Sequence, residues 1–438
     1  MDIPVYRRND DRGALGTSMD TAIGISDSDL DAGTKMVLDI IREKGKAWIV
    51  GGWIRDRILD IPELEDIDIA TNLKPNEILE IFPNSIMIGE KFGTVIVKLE
   101  DDSNQYSQEW EVTTLRSEGR YSDGRRPDSV EFGDDIYADL SRRDFTINAM
   151  AIDDKWNIID KYGGKEDLEE NILRCVGNAQ NRLQEDGLRI MRAFRFVGLK
   201  DGRILHFDDE LGNALIENLD MLDKVSRERI ESEFRKILEL DKRMEILSMM
   251  NKFGVLKKIF PSLEIDLDVE LSDDYRVNLA LISRNYVNEK IELSQILRGD
   301  LKISNKNMIM IQFLHNNGQR MPRIDKSELR RFRAYLSEDH ISCLFKYLEG
   351  MGIDTSELMS SIEKLEPLKA GNKPLVNGNI LVNNTGLVPG FRLGKLKGWL
   401  HRKQIEGNIG EEEEVLQLLD EIDWEDSDPE DWPSLSWP

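Results

Sequence analysis

The sequence predicts an α+β protein, with a mixed head of short strands and helices followed by a long, almost wholly helical remainder. Three observations carry that expectation. β-prone apolar runs alternate with short helical stretches from residue 47 to about 154; helical spacing of apolar residues takes over from Asp167; and Gly and Pro become sparse there. At 438 residues the chain is too long for one core and should divide into several units. The expected divisions are a disordered extension (1–30), a catalytic head (31–166), a helical neck (167–240), a helical body (241–330), a helical and turn-rich tail (331–410) and an acidic C-terminal tail (411–438).

In chain order, residues 1–30 are rich in charge, Gly, Ser and Asp and lack the apolar core of a signal peptide, hence the expected disorder. Residues 34–44 have helical spacing. Residues 47–50 are apolar and β-prone, and Gly51-Gly52 then lets the backbone turn sharply into a helix over 53–59. Further strands are expected at 66–70, 94–99, 109–115 and 149–153, with Pro75 opening a helix over 76–81. Helices are expected near 167–174, 178–198, 209–219, 226–240 and 243–253. Pro374, Asn377-Gly378, Pro389-Gly390 and Gly394 mark 365–410 as rich in turns.

Two distant cysteines, Cys175 and Cys343, argue against a disulfide framework or a cysteine zinc site and fit a reducing cytoplasm. No apolar run is long enough to span a bilayer, so no membrane partner is expected. A net charge of −25 argues against nucleic-acid binding, but 411–438 holds twelve acidic side chains and no Lys or Arg, leaving −13 for the rest. Such a block is expected to be a solvated, mobile end.

The chemistry starts at the diglycine. Backbone N–H groups at a strand-to-helix junction have no internal partner, and two residues without Cβ atoms admit a phosphate closely. Asp66 and Asp68 alternate with Ile67 and Ile69, which places both carboxylates on one face of a strand. Two aligned carboxylates repel unless a cation lies between them; Mg²⁺ suits such hard ligands, and a pair of ions can activate a hydroxyl and stabilise leaving pyrophosphate. Alone, Asp-x-Asp is more often a solvated strand edge, so the ordered combination carries the reading of nucleotidyl transfer.

Downstream, Arg142-Arg143-Asp144-Phe145-Thr146-Ile147-Asn148 offers guanidiniums, a carboxylate and an amide suited to phosphate and sugar, although an exposed ion-paired helix would read alike. Asp186 and Arg189, three apart on an expected helix, share a face. Cytosine and adenine both present an amino donor beside a ring-nitrogen acceptor, so this pair could accept CTP and ATP. Guanine and uracil reverse the pattern and would leave buried polar groups unpaired. An ordinary intrahelical ion pair is about as good a reading of these two residues alone.

Together, Gly51-Gly52-x-x-Arg55-Asp56, Asp66-x-Asp68-x-Ala70-Thr71, Glu111-Val112-Thr113-Thr114, Asp123-Gly124-Arg125-Arg126-Pro127, Arg142-Arg143-Asp144-Phe145-x-x-Asn148-Ala149 and Glu185-Asp186-x-x-Arg189 resemble the class II tRNA nucleotidyltransferases of the poly(A) polymerase/tRNA nucleotidyltransferase family. Val376-Asn377-Gly378 and Pro389-Gly390 are similar to the tail of its CCA-adding members. The resemblance implies a polymerase-β-like nucleotidyltransferase head followed by all-helical neck, body and tail. It implies two-metal addition of C, C and A to tRNA 3′ ends from CTP and ATP, without a nucleic-acid template. By it Asp66 and Asp68 bind Mg²⁺, Glu111 is either a third catalytic carboxylate or a residue that only orders the site, and Gly51, Gly52 and Arg55 shape the triphosphate site. Arg143, Asp144 and Asn148 contact ribose or phosphates, Asp186 and Arg189 read the base with Arg192 supporting them, and Asp123, Arg125 and Arg126 belong to a flexible loop. Ser226, Glu228 and Arg229 resemble a further family motif and are expected to serve as cap and ion pair. RNA contacts are expected from Arg192, Arg195, Lys200, Arg203, Lys395, Lys397, Arg402 and Lys403. The rival readings are a poly(A) polymerase, an enzyme adding only part of CCA, and a catalytically silent RNA-binding protein; the acidic C-terminus, the Asp123 loop and intact Asp66 and Asp68 count against them in turn.

Overall fold

The structure is a computed structural model, and it describes residues 24–62, 66–88, 93–99, 108–118, 130–288 and 290–438. It divides into two compact units, Met1–Pro261 with Asp300–Lys302, and Ser262–Gly299 with Ile303–Pro438.

The first unit opens with helix α1 (Ala32–Arg42), strand β1 (Ala47–Val50), helix α2 (Gly52–Ile58), strand β2 (Asp68–Thr71), helix α3 (Pro75–Ile81) and strands β3 (Ile86–Ile88), β4 (Thr94–Lys98) and β5 (Glu109–Thr114). A side hairpin of β6 (Arg116–Glu118) and β7 (Val130–Phe132) leads to α4 (Ile136–Ser141), and β8 (Ala151–Ile152) and β9 (Ile158–Ile159) complete the main sheet. Its order is β3-β4-β5-β2-β1-β8-β9, antiparallel throughout except for the parallel β2–β5 pair. Period-two alternation shows in β5, whose Trp110, Val112 and Thr114 are buried while Glu109 and Glu111 face out. Trp110 closes the core under α1, its indole N–H donating to Thr34 at 2.9 Å.

The strand expected at 66–70 begins at Asp68, and Asp66 lies before it. Residues 24–30, expected in the disordered extension, form a short 3₁₀ turn because Ile25 and Leu30 bury against the head and Asp29 pairs with Arg57. The helix expected at 167–174 is the shorter α5 (Gly164–Glu169), after which Ile172–Leu173 form β10 beside β11 (His206–Phe207). The helix expected at 178–198 is broken into α6 (Ala179–Glu185) and α7 (Leu188–Val197). The break falls at Asp186, whose backbone is extended (φ −146°, ψ 109°), and the chain passes close to Met221 beside it: a Cβ on Gly187 would stand 2.3 Å from the Met221 carbonyl oxygen, so only glycine fits there.

Helices α8 (Asp209–Glu217), α9 (Arg227–Leu238), α10 (Arg243–Lys252) and α11 (Val255–Ile259) extend the same unit past the expected neck boundary at 240. Aromatic packing is the reason. Phe253 stacks edge-on against Phe194 and Phe207, and Phe260 against Phe234, tying the later helices to the earlier ones.

The second unit contains α12 (Tyr275–Ile282), α13 (Leu293–Leu301) up to Gly299, α14 (Asn305–Asn317), α15 (Lys326–Tyr335), α16 (Glu338–Gly350), α17 (Ser356–Glu363), α18 (Gly378–Thr385), α19 (Phe391–Gly407) and α20 (Glu412–Gln417). Helix α15 runs through the expected body–tail boundary at 330, and Gly394, expected to break the chain, lies within the 17-residue α19. The acidic C-terminal segment is packed rather than solvated. Val415, Trp432 and Trp437 are buried, Trp432 in one cluster with Leu396, Trp399 and Leu400 of α19, and Trp437 edge-on to Phe332. Its acids alternate with Leu418, Leu419, Ile422 and Trp424, giving the segment an apolar side that its charge count concealed.

Candidate active site

Register in the head sheet brings the first residues together. Val50 pairs with Asp68, so the turn at Gly51 lies beside the Asp68 carboxylate, and the parallel pairing of Ile69 with Val112 sets Glu111 on the neighbouring strand one residue earlier. Gly51 has φ +84° and ψ −140°, a region open essentially only to glycine. A Cβ there would stand 3.1 Å from an Arg143 guanidinium nitrogen and 3.4 Å from Asp68 Oδ2.

Helix α2 then buries Arg55 and Asp56. Arg55 donates to Asp56 Oδ1 at 2.6 and 2.8 Å and to Asn148 Oδ1 at 2.8 Å, and Lys200 lies 3.1 Å from the other Asp56 oxygen. Asn148 ends a 3₁₀ turn (Thr146–Asn148), and its carbonyl accepts from Arg143 at 3.3 Å. Asp144 is buried beneath Arg192, which donates to it at 2.6 Å. Burial alone would raise its pKa, but the Arg192 and Arg189 charges and hydrogen bonds from Arg192 and the Phe145 N–H hold it below the ordinary carboxylate range. Burial works against the Arg192 cation likewise, and Asp144 and Glu233 overcome it and raise its pKa.

Asp186 and Arg189 are joined through the backbone, the Arg189 N–H donating to the Asp186 carbonyl at 3.0 Å, and both line the same cavity, although Asp186 lies outside the helix that carries Arg189. Asp186 occupies the break between α6 and α7, where its carboxylate accepts from Arg229 at 2.7 Å and from the Leu188 N–H at 3.0 Å. Arg189 is held by Glu185 and by the carbonyls of Arg182 and Arg142. Arg229 thus orients the Asp186 carboxylate, while Glu185 and two carbonyls orient the Arg189 guanidinium. The expected capping role of Ser226 fails, since its side chain makes no cap hydrogen bond to α9. Arg229, expected to be structural only, is a wall of the site. Arginine at the start of an amphipathic helix carries no signal of that; only the packing of α9 on α7 brings it there.

Two cavities of the first unit collect these side chains. One of about 490 Å³ is lined by Gly51, Gly52, Arg55, Arg143, Asp144, Asn148, Asp186, Arg189 and Arg192, together with Asp68, Arg229 and Phe196. All nine expected nucleotide-binding residues therefore share one cavity, although they come from three separate stretches of chain. The other, of about 690 Å³, is lined by Asp66, Asp68 and Glu111 with Trp110, Lys200 and Lys236. Arg55, Asp68, Arg195 and Phe196 line both. Phe196 gathers cations, with Arg195, Arg192 and Arg55 at 4.1, 5.0 and 5.5 Å from its ring centroid. No sequence signal gave Phe196 a role, and Lys200 was expected only as an RNA contact.

Among the described residues no three His, Cys, Asp or Glu side chains converge into a preformed metal cluster. The donor set is nonetheless chemically suited to a hard divalent ion: carboxylates of Asp66 and Asp68 on one cavity, with cationic walls that would receive phosphate oxygens. Asp123, Arg125 and Arg126 lie outside the described residues. Of the expected RNA contacts, Arg192, Arg195 and Lys200 line the cavities, Arg203 pairs with Asp201, and Lys395, Lys397, Arg402 and Lys403 lie on α19 in the second unit.

Residues 47–174 match the poly A polymerase head domain, and 205–267 match a domain described as a probable RNA and SrmB-binding site of polymerase A. A CCA-adding enzyme of Ligilactobacillus salivarius is 34% identical over 401 residues, covering 87% of this chain and 93% of that protein. The chain belongs to the CCA-adding enzyme family. A second member, from Lactococcus lactis, is 33% identical over 396 residues, covering 87% of this chain and 95% of its own. The Bacillus stearothermophilus CCA-adding enzyme in complex with CTP has the same fold, with a TM-score of 0.74 and 26% identity over 90% of this chain and 98% of that one. Membership of this family makes the chain a nucleotidyltransferase and its mixed head and helical remainder the family architecture.

Proposed function

We propose that this protein adds C, C and A to the 3′ ends of tRNA from CTP and ATP, without a nucleic-acid template, releasing pyrophosphate. The observation that carries the reading is the single cavity shared by the triphosphate, ribose and base residues, in a chain that is similar to CCA-adding enzymes over nearly its whole length. The diglycine turn receives the triphosphate, and Arg55, fixed by Asp56 and Asn148, presents a guanidinium that need not reorganise when the charge arrives. Arg143 and Arg192 neutralise further phosphate charge. Asp186 accepts from the exocyclic amino group of cytosine or adenine and Arg189 donates to the ring nitrogen; guanine and uracil would leave both unpaired. Held as they are by Arg229 and Glu185, the two reading groups are oriented before the base enters.

Asp66 and Asp68 would hold Mg²⁺, which supplies activation of the attacking hydroxyl and stabilisation of the leaving pyrophosphate. Glu111, on the adjacent strand, orders this carboxylate face. The acceptor end of the tRNA approaches through the cavity carrying Lys200 and Lys236, which shares Asp68 with the nucleotide cavity. Among the described residues no helix is long and apolar enough to cross a membrane, and the cytoplasm is the compartment a tRNA substrate implies.

The test is incubation of tRNAs lacking all of CCA, or ending after its first or second C, with each labelled nucleotide and Mg²⁺. Addition stopping after a single A supports the reading. Continued addition of A would replace it with polyadenylation, and an end after the second C would replace it with partial addition.

A further inference from the structure

The acidic C-terminal segment lies along one stripe of α19. Arg392, Lys395, Trp399 and Lys403 fall at helical spacing, so they share a face, and three cations are spread over about 16 Å of axis. Each is engaged by the segment. Arg392 donates to the backbone carbonyls of Trp424 and Glu425 at 2.8 and 3.1 Å and stacks over Trp432; Lys395 pairs with Glu430 at 2.8 Å; Lys403 lies 3.7 Å from Glu421. The two carboxylates are exposed, at 66% and 54% of their side-chain surface. Segment and helix are held together by the buried Val415 and Trp432, so the oxygens are delivered to the cations by packing and not by charge alone.

A row of lysine and arginine on one helix face is the footprint of a phosphate backbone. Here carbonyl and carboxylate oxygens of the same chain stand where phosphate oxygens would. We propose that this face of α19 is an RNA-backbone contact, and that Glu421 and Glu430 are built-in competitors which an incoming RNA must displace from Lys403 and Lys395. The proposal rests on the tRNA-directed reading above. Its consequence is a binding surface that discriminates against weakly held polyanions: only an RNA held elsewhere as well exchanges two intrachain ion pairs for two phosphate contacts. Salt also loosens the two intrachain ion pairs that the RNA must break, which offsets part of the salt dependence of phosphate binding.

The experiment measures affinity of the full-length protein for a tRNA lacking CCA, across a salt series, for wild type, Glu421→Gln/Glu430→Gln and the charge-matched control Glu413→Gln/Glu414→Gln. Both control positions are exposed, in α20. The first double variant should bind about three- to tenfold more tightly at low salt, and its slope of log affinity against log salt should steepen, because salt no longer helps by loosening the two intrachain ion pairs. The control should do neither. Equal tightening by the control would reduce the effect to net charge and overturn the proposal, as would unchanged affinity or slope in the first variant. A thermal melt compares the folding of both variants; if the first is destabilised, the single Glu430→Gln, with half the expected slope change, replaces it. Failure of the wild type to bind or extend the tRNA would instead overturn the functional reading.

Discussion

Replacing Gly51 by alanine tests whether the turn beside Asp68 is a matter of backbone conformation, of space, or of both. At φ +84° and ψ −140° an alanine costs about 1–3 kcal/mol in backbone strain. For a unit of this size that lowers the melting temperature by about 2–4 °C per kcal/mol. The structure adds a second penalty, because the new Cβ would stand 3.1 Å from the Arg143 guanidinium and 3.4 Å from Asp68 Oδ2. The Arg143 guanidinium must give by a few tenths of an ångström, while the Asp68 oxygen is met at ordinary contact distance, in a site where a displacement of about 1 Å costs up to a hundredfold in rate. Gly202 separates the two effects: it has φ +81°, and a Cβ there would meet nothing within 4 Å. Gly202→Ala should lose stability yet keep its nucleotide-addition rate, whereas Gly51→Ala should lose about ten- to a hundredfold in kcat as well. Melts and single-turnover addition of labelled CTP read both quantities. Wild-type kcat in Gly51→Ala, or an equal loss in Gly202→Ala, would refute the argument.

Asp186→Ala should blur the choice among nucleotides while leaving Mg²⁺ dependence intact; undiminished preference for CTP and ATP over UTP and GTP would remove Asp186 from the base site. Phe196→Leu keeps apolar volume but loses the ring face that gathers Arg55, Arg192 and Arg195, so KM for both CTP and ATP should rise about three- to tenfold with their ratio unchanged, and an unaltered KM would count against the cation cluster. Asp167 is buried against Thr146 and Arg174, and burial above all, with the Asp208 and Glu166 charges, pushes its carboxyl up to about 6. Because the folded value exceeds the unfolded one, the folded state holds the extra proton between about pH 4 and pH 6, and stability falls as pH rises through that window. Asp167→Asn should flatten this fall in urea melts taken across the window; a slope like that of the wild type would exclude Asp167 as its source.

Much of the site was legible because its signals are local. A diglycine after an apolar strand, two aspartates two apart, and an arginine-rich stretch each need only a few neighbouring residues to declare a chemistry, and the strands at 47–50, 94–98 and 109–114 follow from alternation and β-branching over similar distances. Where local signals ran out, the readings failed for identifiable reasons. Helical spacing continues unbroken through 178–198, yet the chain breaks at the extended Asp186, next to a Gly187 whose missing Cβ admits the carbonyl of Met221, 34 positions away. That single break separates Asp186 from the helix face it was expected to share with Arg189 and hands it to Arg229. The acidic tail was read by its charge, which dominates composition, while three tryptophans spaced through it decided its packing.

The sequence by itself therefore determined the kind of chemistry, the residues proposed to perform it and the order in which mixed and helical parts follow one another, because these depend on residue type and short spacing. Tertiary structure alone decided which side chains meet: Arg229 on Asp186, Phe196 among three arginines, and the carboxylates of the last segment on the cations of α19. Those meetings depend on burial and on how separate helices pack, and no local pattern encodes where two distant segments will touch.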